Sequence, residues 1–207
     1  MPKVVDHDER RADIVRAAWA VICRHGIEGA TVRRVAEQAG VSMGGLRHYF
    51  DTQEGLLRFA ALAVGGNISA RVEARLRSDD APADRARMVL EAMLPLDEER
   101  RVEATVWLAF MVRFRVDDTL RELRSTAWTG TRHICRVVVG LSRNVAAPEV
   151  IGDELPDADL EQWARHLHVV MDGLTLQAVS FPDRLSSEEL RATVREQLGL
   201  VASTAHS

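Results

Sequence analysis

Apolar residues recur every three to four positions along most of the chain, and no stretch alternates as a β-strand would. The first apolar stripe lies in residues 8–25, from Ile14 to Ile22, and Gly26 ends it. The same spacing predicts further helices over about 32–39, 42–50, 53–77, 83–94, 98–114, 117–142, 158–180 and 186–202. The sequence therefore predicts an all-α protein of about nine helices.

Residues 31–50, TVRRVAEQAGVSMGGLRHYF, have the length and punctuation of a helix-turn-helix. Thr31 and Ser42 are suitable N-caps for two short helices, and Gly40 interrupts the helical spacing between them. A second helix of about two turns fits a DNA major groove, which is about 12 Å wide. The pattern by itself leaves two interpretations open: a DNA-binding motif, or an ordinary helix pair within a bundle.

The side chains of the second short helix suit contact with DNA. Gly44 and Gly45 would let the backbone approach DNA closely, at a cost in helix propensity. Arg47, His48 and Tyr49 of this helix, together with Arg33 of the first, offer donors for phosphates and base edges. These residues favour the DNA-binding interpretation without deciding it.

The segment of about 8–60 resembles the TetR family of transcriptional regulators. The matching stretches are AAWAVICRHGIEGATVRRVA, EQAGVSMGGLRHYF and DTQEGLL, which follow the family's order of apolar, glycine, threonine and aromatic positions. The HYF of this segment and the later stretch MDGLTLQAV are similar to the BetI-like subgroup. The resemblance implies a helix-turn-helix DNA-binding domain over residues 1–52 and a helical effector-binding and dimerisation domain over residues 53–207.

The resemblance also implies which residues contact DNA. They are Thr31, Val32, Arg33, Ser42, Met43, Gly44, Gly45, Arg47, His48, Tyr49 and Gln53. Arg33 could reach a guanine edge, Met43 a thymine methyl group, and Tyr49 a phosphate. Many family members carry tyrosine at the position of Arg47 and lysine at the position of Gln53, so the phosphate contact at Gln53 is expected to be weaker.

The C-terminal region is expected to hold an effector pocket. Residues 104–112, ATVWLAFMV, are apolar at eight of nine positions, which predicts a helix buried on all sides. The residues expected to line the pocket are Trp107, Phe110, Met111, Phe114, Trp128, His133, His166, Met171 and Gln177. Each of them could instead belong to an ordinary core.

Two late helices are expected to form a dimer interface. Their apolar stripes consist of Leu160, Trp163, Leu167, Leu174, Ala178, Leu190, Val194, Leu198 and Val201. Such stripes can pair with their copies into a four-helix interface, or each can be the core face of a single chain. One short recognition helix reads few base pairs, which favours a dimer on two half-sites about 34–36 Å apart, or a multiple of that distance.

The net charge of −4 is unevenly distributed along the chain. Residues 1–60 hold nine Lys/Arg and eight Asp/Glu, whereas residues 61–207 hold eighteen and twenty-three. Residues 31–50 contain three arginines and one acid, Glu37. The charge therefore argues against a broad basic surface, but it is compatible with a local DNA-binding segment.

Other functional classes have little support in the sequence. No GxSxG, P-loop or GxGxxG pattern occurs, and His166 and His168 would point to different faces of a helix. We therefore expect no enzymatic activity, no cofactor and no metal site. The polar start MPKVVDHDERR, the absence of a long apolar run, and only two cysteines, Cys23 and Cys135, predict a cytoplasmic protein without a membrane segment.

Together these features predict a homodimeric transcriptional regulator, most simply a repressor. Its expected partners are operator DNA, a small-molecule effector and a second copy of itself. The effector would release the operator by moving the helix over 53–77, in which Gly65-Gly66 is either a flex point or a site of close packing. The alternatives are a dimeric DNA-binding protein without a physiological ligand and, with less support, a helical enzyme or scaffold.

Overall fold

The structure is a computed structural model that describes residues 7–113 and 115–203. In these ranges it contains nine α-helices and a 3₁₀ turn, and no strand. The helices are α1 His7–Gly29, α2 Val32–Ala39, α3 Met43–Arg47, α4 Gln53–Leu76, α5 Pro82–Met93, α6 Glu98–Arg113, α7 Arg121–Arg143, α8 Ala158–Ser180 and α9 Ser187–Ser203, with the 3₁₀ turn at Asp118–Leu120. The prediction of an all-α fold is confirmed.

Local signals in the sequence account for most helix ends. Gly26 interrupts α1 with a φ of 70°, and one further turn carries the helix to Gly29. Thr52 begins α4, because its Oγ1 accepts a hydrogen bond from the Gly55 N–H at 3.0 Å. At the start of α9, the sequence offers both Ser186 and Ser187 as possible N-caps. The structure selects Ser186, which forms a reciprocal capping box with Glu189.

The chain divides into two compact units. The first comprises the chain up to Gly66 together with Val102–Leu120, and the second comprises Asn67–Arg101 with the chain from Arg121 onward. Both α4 and α6 therefore contribute residues to both units. No helix in the described part of the chain has the length and apolar character needed to cross a membrane.

The first unit is built around α1. Ile14 and Ala18 of this helix are fully buried, as are Val35 of α2 and Leu46 of α3. The indole N–H of Trp19 donates a hydrogen bond of 3.0 Å to the Ala60 carbonyl oxygen, which attaches α1 to α4. Burial of these side chains fixes α2 and α3 on a rigid support.

The second unit has its own core, formed where α5, α7, α8 and α9 pack together. Leu90 of α5, Val138 of α7, Leu167 of α8 and Leu190 of α9 are all at most 1% exposed. This core includes the predicted apolar stripes of α8 and α9.

The prediction that residues 104–112 are buried on all sides is wrong. In α6 the buried positions are Glu103, Ala104, Val106 and Phe110, whereas Val112 is 71% exposed within the chain. An apolar composition does not say which faces of a helix have neighbours, and here only one face of α6 is covered.

The two glycines in the middle of α4 occupy open space. A Cβ atom built on Gly65 or Gly66 would meet nothing within 4 Å among the described residues, so close packing does not explain these glycines. Helix α4 nevertheless runs without interruption from Gln53 to Leu76.

Replacing both glycines of α4 by alanine is therefore expected to stabilise the protein by about 1–2 kcal/mol, because each glycine costs about 0.5–1 kcal/mol in a helix interior. Urea unfolding followed by circular dichroism measures this gain. Gly140→Ala in α7 is the control, since its Cβ would lie 2.8 Å from the Val145 carbonyl oxygen, and it should destabilise the protein. A double alanine variant less stable than the wild type would contradict the open geometry.

Candidate nucleic-acid interface

Helices α2 and α3 form the helix-turn-helix expected from the sequence. Thr31 caps α2 by accepting a hydrogen bond from the Arg34 N–H, and Ser42 caps α3 by accepting one from the Gly45 N–H at 3.0 Å. Gly40 ends α2 in the left-handed conformation, with a φ of 64°. This conformation suits glycine, and it lets the chain reverse within a few residues.

The recognition helix α3 is shorter than the predicted range of 42–50. It covers five residues, and the backbone continues as turns in which the N–H groups of Tyr49 and Phe50 bond to the Leu46 carbonyl oxygen. The two consecutive glycines reduce helix propensity here. Leu46 and Phe50 are buried, whereas Arg47 and His48 are exposed.

The predicted DNA-contacting side chains are accessible. Arg33, Ser42, Met43, Gly44, Arg47 and His48 are exposed, and Thr31, Val32, Gly45, Tyr49 and Gln53 are partly exposed. Met43 is 42% exposed although it is apolar. Val35 and Leu46, on the inner sides of the same two helices, are fully buried. The exposed side chains therefore stand on a rigid support.

The two glycines of α3 differ in what surrounds them. A Cβ at Gly45 would lie 3.2 Å from the Ser42 Oγ, so glycine there serves the cap itself. A Cβ at Gly44 would have a single neighbour, the same oxygen at 3.9 Å, which is an ordinary contact distance. Internal packing does not require glycine at position 44, which is consistent with a close approach by DNA.

The two arginines of the predicted interface are held differently. The Nε of Arg33 donates a hydrogen bond of 2.9 Å to Glu37 Oε1, and this bond together with the carboxylate charge raises the pKa of the Arg33 guanidinium. Arg47 is exposed, and the described part of the chain offers it neither a hydrogen bond nor an ion pair. All N–H donors of Arg47 are therefore available, whereas Glu37 occupies the Nε of Arg33 and offsets part of its charge.

Substituting Glu37 by glutamine is expected to strengthen DNA binding by about twofold to tenfold. The change removes the only acid of residues 31–50 and frees Arg33 from an exposed pair, which contributes little to stability. Fluorescence anisotropy with a labelled duplex at two salt concentrations measures the effect. Glu73→Gln, which breaks the similar Arg77–Glu73 pair of α4, should leave affinity unchanged. Weaker binding by Glu37→Gln would show that the pair positions Arg33 for DNA.

The residues predicted to line the effector pocket are distributed over both units. Trp107, Phe110 and Met111 belong to the first unit, and the residues from Trp128 onward belong to the second. Phe114 lies outside the described residues. On α8, Met171 is buried in the core, whereas His166 and Gln177 are exposed on another face. This is a correction, because five or six positions along a helix lead to a different face.

Two further pocket candidates lie on α7. Trp128 is 56% exposed, and the His133 ring is partly buried, with an Nδ1 that has no hydrogen-bond partner in the described residues. Burial, together with the nearby Arg136 charge, lowers the pKa of His133. The effector pocket thus stays a prediction.

Most of the predicted dimer-interface stripe lies in the chain's own core, which is the alternative that the sequence left open. Leu167, Leu174, Ala178, Leu190, Val194 and Val201 are at most 9% exposed and form the core of the second unit, while Leu160, Trp163 and Leu198 pack against that core. A side chain enclosed by its own chain cannot contact a second copy. The exposed apolar side chains of the same helices are Val169, Leu176 and Leu200, at 70%, 52% and 46%.

A buried charge cluster between α7 and α8 was not anticipated. Arg136 donates two hydrogen bonds of 2.8 Å to the two carboxylate oxygens of Glu161, and the Leu155 N–H donates a third. Arg132 lies 3.8 Å from the same carboxylate, and its Nε donates to the Nδ1 of His168 at 3.2 Å. Burial, reinforced by the Arg132 charge, lowers the pKa of His168 to about 4.

The helix-turn-helix and the helices that follow match known protein families. Residues 14–59 match the bacterial regulatory proteins of the tetR family, and residues 82–202 match the C-terminal region of BetI-type transcriptional repressors. The chain belongs to the TetR family. The predicted family and its BetI-like subgroup are therefore confirmed, and the chain is a DNA-binding transcriptional regulator of the repressor type.

Individual relatives agree with this assignment. The transcriptional regulator PksA of Bacillus subtilis is 32% identical over 199 residues, covering 96% of this chain and 92% of that protein. BetI 2 of Chromohalobacter salexigens is 30% identical, covering 92% and 87%. A solved transcriptional regulator from Rhodococcus sp. Rha1 has a TM-score of 0.77 at 30% identity, covering 95% and 98%. These TetR-family relatives are regulators and not enzymes, as the sequence predicted.

Proposed function

We propose that this TetR-family chain is a homodimeric repressor that inserts α3 into the major groove of a pseudo-palindromic operator. The observation that carries the proposal is the exposed Arg47, which has no partner among the described residues, on a recognition helix that the fully buried Leu46 anchors in the core. A rigid helix that presents a cation to solvent is suited to reading a groove.

The proposed contacts divide by chemistry. Arg33 and Arg47 reach base edges or phosphates, and Met43 contacts a thymine methyl group. The hydroxyls of Ser42 and Tyr49 donate to phosphates. The partly exposed Gln53 at the start of α4 adds a neutral contact. A contact set with two cations in each copy gives moderate electrostatic attraction within a chain of net charge −4.

The proposed dimer uses the outer faces of α8 and α9. Val169 and Leu176 of α8 and Leu200 of α9 are exposed, and Gly173 and Gly199 have open space around them that a second helix could occupy. A symmetric pairing of these faces would place two recognition helices on two half-sites. DNA binding in a bacterial cell would take place in the cytoplasm, which we include in the proposal.

The proposed effector is a small molecule that favours the non-binding state. The match to BetI-type C-terminal regions supports it. A regulator from Saccharomonospora viridis with the same fold, at a TM-score of 0.73 and 20% identity, was solved in complex with choline. Release would come from bending of α4 at Gly65-Gly66, next to the boundary between the two units, with about 1–3 kcal/mol of coupling. A DNA-binding dimer without an effector is the alternative.

The experiment that tests DNA binding starts from a random duplex pool. Duplexes retained by the full chain are sequenced and footprinted, and their affinity is measured at several salt concentrations. We expect an inverted repeat, and a slope of log K against log salt of about −3 or steeper, because four arginines of a dimer replace condensed cations. Recovery of no preferred duplex, or a slope near zero, would overturn the proposal.

A further inference from the structure

One exposed row of side chains on α8 carries both charge and apolar surface. This outer row consists of Arg165, Val169, Asp172 and Leu176, whose spacings of four, three and four residues place them within about 60° of arc on the helix. The Arg165 and Asp172 side chains are each 59% exposed, and Val169 and Leu176 are 70% and 52% exposed. An arginine and an aspartate thus stand about 10 Å apart along the helix axis, with an apolar side chain between them.

The outer row stands on a rigid support. On the opposite side of α8, Ala164 and Leu167 are fully buried in the core of the second unit. Two hydrogen bonds of 2.8 Å between Arg136 and Glu161 attach the first turn of α8 to α7. The side chains of the outer row therefore have fixed positions along α8 before any partner binds.

The two exposed charges have loose contacts within the described part of their own chain. The guanidinium group of Arg165 lies 3.6 Å from a carboxylate oxygen of Glu154 and 3.9 Å from one of Glu161. The Asp172 carboxylate lies 3.6 Å from the Nε2 of His168. Hydrogen-bonded ion pairs are shorter, at about 2.7–2.9 Å, so both groups have room for a closer partner.

The order of the two charges makes the outer row complementary to itself. A two-fold axis beside Val169 that pairs two copies of α8 antiparallel sets Arg165 of each copy against Asp172 of the partner subunit, because the axis exchanges positions that are equally far from it. A parallel pairing would instead join arginine to arginine and aspartate to aspartate, and like charges at an interface repel. The antiparallel register satisfies both charges and brings two copies of Val169 together.

The surface beside the outer row adds a large apolar side chain. Trp128 of α7 is 56% exposed, and its ring lies 5.6 Å from the ring of His168, the neighbour of Asp172. The Arg132 guanidinium group lies 4.8 Å from the centre of the Trp128 ring, which holds the indole in place. Tryptophan is enriched among the residues that dominate binding energy at protein interfaces. The charged row therefore has apolar area beside it that a second copy can cover.

We propose that two copies of the chain pair α8 in this antiparallel register, and that the ion pairs between Arg165 and Asp172 of the partner subunit determine which protein the chain accepts as its partner. The proposal rests on the proposed homodimer and adds its register and its selectivity. A protein of the same fold with another order of charges would set like charges, or a charge without a counterion, against the outer row. Such mismatches are how natural interfaces exclude wrong partners.

Charge reversal tests the pairing in the full chain. Arg165→Glu and Asp172→Lys should each weaken self-association at least about tenfold in analytical ultracentrifugation, because each sets like charges against each other twice across the axis. An equimolar mixture of the two variants should recover a dissociation constant within about threefold of the wild type, because the mixed dimer joins opposite charges at both places. Arg77→Glu, at an exposed position just after α4, is the control and should associate like the wild type.

The selectivity is read from a chain that carries both substitutions, Arg165→Glu and Asp172→Lys. This chain should associate with itself like the wild type, because the reversed charges still match each other. With the wild type it should form mixed dimers at less than about one tenth of the statistical share, which native mass spectrometry of chains of different mass measures. Mixed dimers at the full statistical share would overturn the selectivity.

A disulfide tests the register directly. Val169→Cys is combined with Cys23→Ser, which removes the exposed native thiol, while Cys135 stays because burial raises the pKa of its thiol to about 12. With oxidised glutathione, this chain should form a linked dimer at least about tenfold faster than Val112→Cys, at an exposed position of α6, in the same background. A dimer whose Val169→Cys variant does not cross-link faster than this control would overturn the register.

The outcomes separate this proposal from the proposed homodimer. A wild-type chain that stays monomeric at all concentrations would overturn the homodimer itself, and the pairing with it. A wild-type dimer that both charge reversals leave intact, or whose folded variants do not associate when mixed, would overturn the pairing alone. Circular dichroism verifies folding, and if a reversal impairs it, the cysteine result decides.

Discussion

Arg47→Ala is expected to weaken binding of a selected operator duplex by at least about tenfold while the protein keeps its stability. Arg47 is exposed at the end of α3, and the described residues give it no partner that its loss would leave unpaired. A bidentate arginine contact to a base contributes about 1–3 kcal/mol, and a dimer would lose it at both half-sites.

Anisotropy titrations at fixed salt measure this loss, and thermal unfolding verifies that the variant is folded. Arg77→Ala provides the control, since it removes the same charge from an exposed position just after α4, far along the chain from the helix-turn-helix. Arg33→Ala should give a smaller loss, because the neighbouring Glu37 carboxylate already offsets part of the Arg33 charge. Equal affinities for Arg47→Ala and the wild type would rule out the docking of α3 proposed above.

The sequence predicts the DNA-binding surface well because its signals are local. Thr31, Gly40 and Ser42 each act on a backbone only three or four residues away, through caps and a left-handed turn. The apolar Leu46 lies in the core, and Arg47, which was predicted to contact DNA, is exposed.

The C-terminal region is less predictable because its apolar stripes are ambiguous. The spacing of Leu167, Leu174 and Leu190 says that one face of each helix is covered, but not whether the same chain or a second copy covers it. The structure assigns these side chains to the chain's own core. Val169 and Leu176, which lie off the stripe, are the exposed apolar positions, and the sequence gives no periodic signal for them.

The buried charge cluster could not be found from the sequence for a different reason. Arg136 and Glu161 lie 25 positions apart and belong to different helices, with the loop after α7 between them. Charged residues on helices are exposed in most proteins. Only the packing of α7 against α8 encloses this pair, and that packing depends on side chains throughout the second unit.

Glu161→Gln is expected to lower the free energy of unfolding by about 3–5 kcal/mol. The Glu161 side chain is 3% exposed and accepts both hydrogen bonds of Arg136, whose own side chain is 6% exposed. Burial by itself raises the pKa of Glu161, but the bonds from Arg136 and the Leu155 N–H outweigh it, so the pKa lies below its ordinary value. Removing the carboxylate charge leaves Arg136 and Arg132 with only the Glu154 carboxylate, which lies 3.7 Å from Arg136 and is largely exposed. Removing one partner of a buried ion pair is strongly destabilising, because the other charge stays buried.

Urea unfolding at pH 7 measures the loss, and Glu188→Gln, which breaks the exposed Arg195–Glu188 pair, should change stability little. The pH dependence gives a second reading. Because the pKa of Glu161 is lower in the folded state, its ionised form adds stability above the ordinary value of 4.5, and this share is lost as the pH falls below it. The free energy of unfolding of Glu161→Gln should therefore fall less steeply with decreasing pH than that of the wild type. Unfolding curves that coincide with those of the wild type at pH 7 and at a pH below 4.5 would mean that groups other than Glu161, such as Glu154, balance the two arginines.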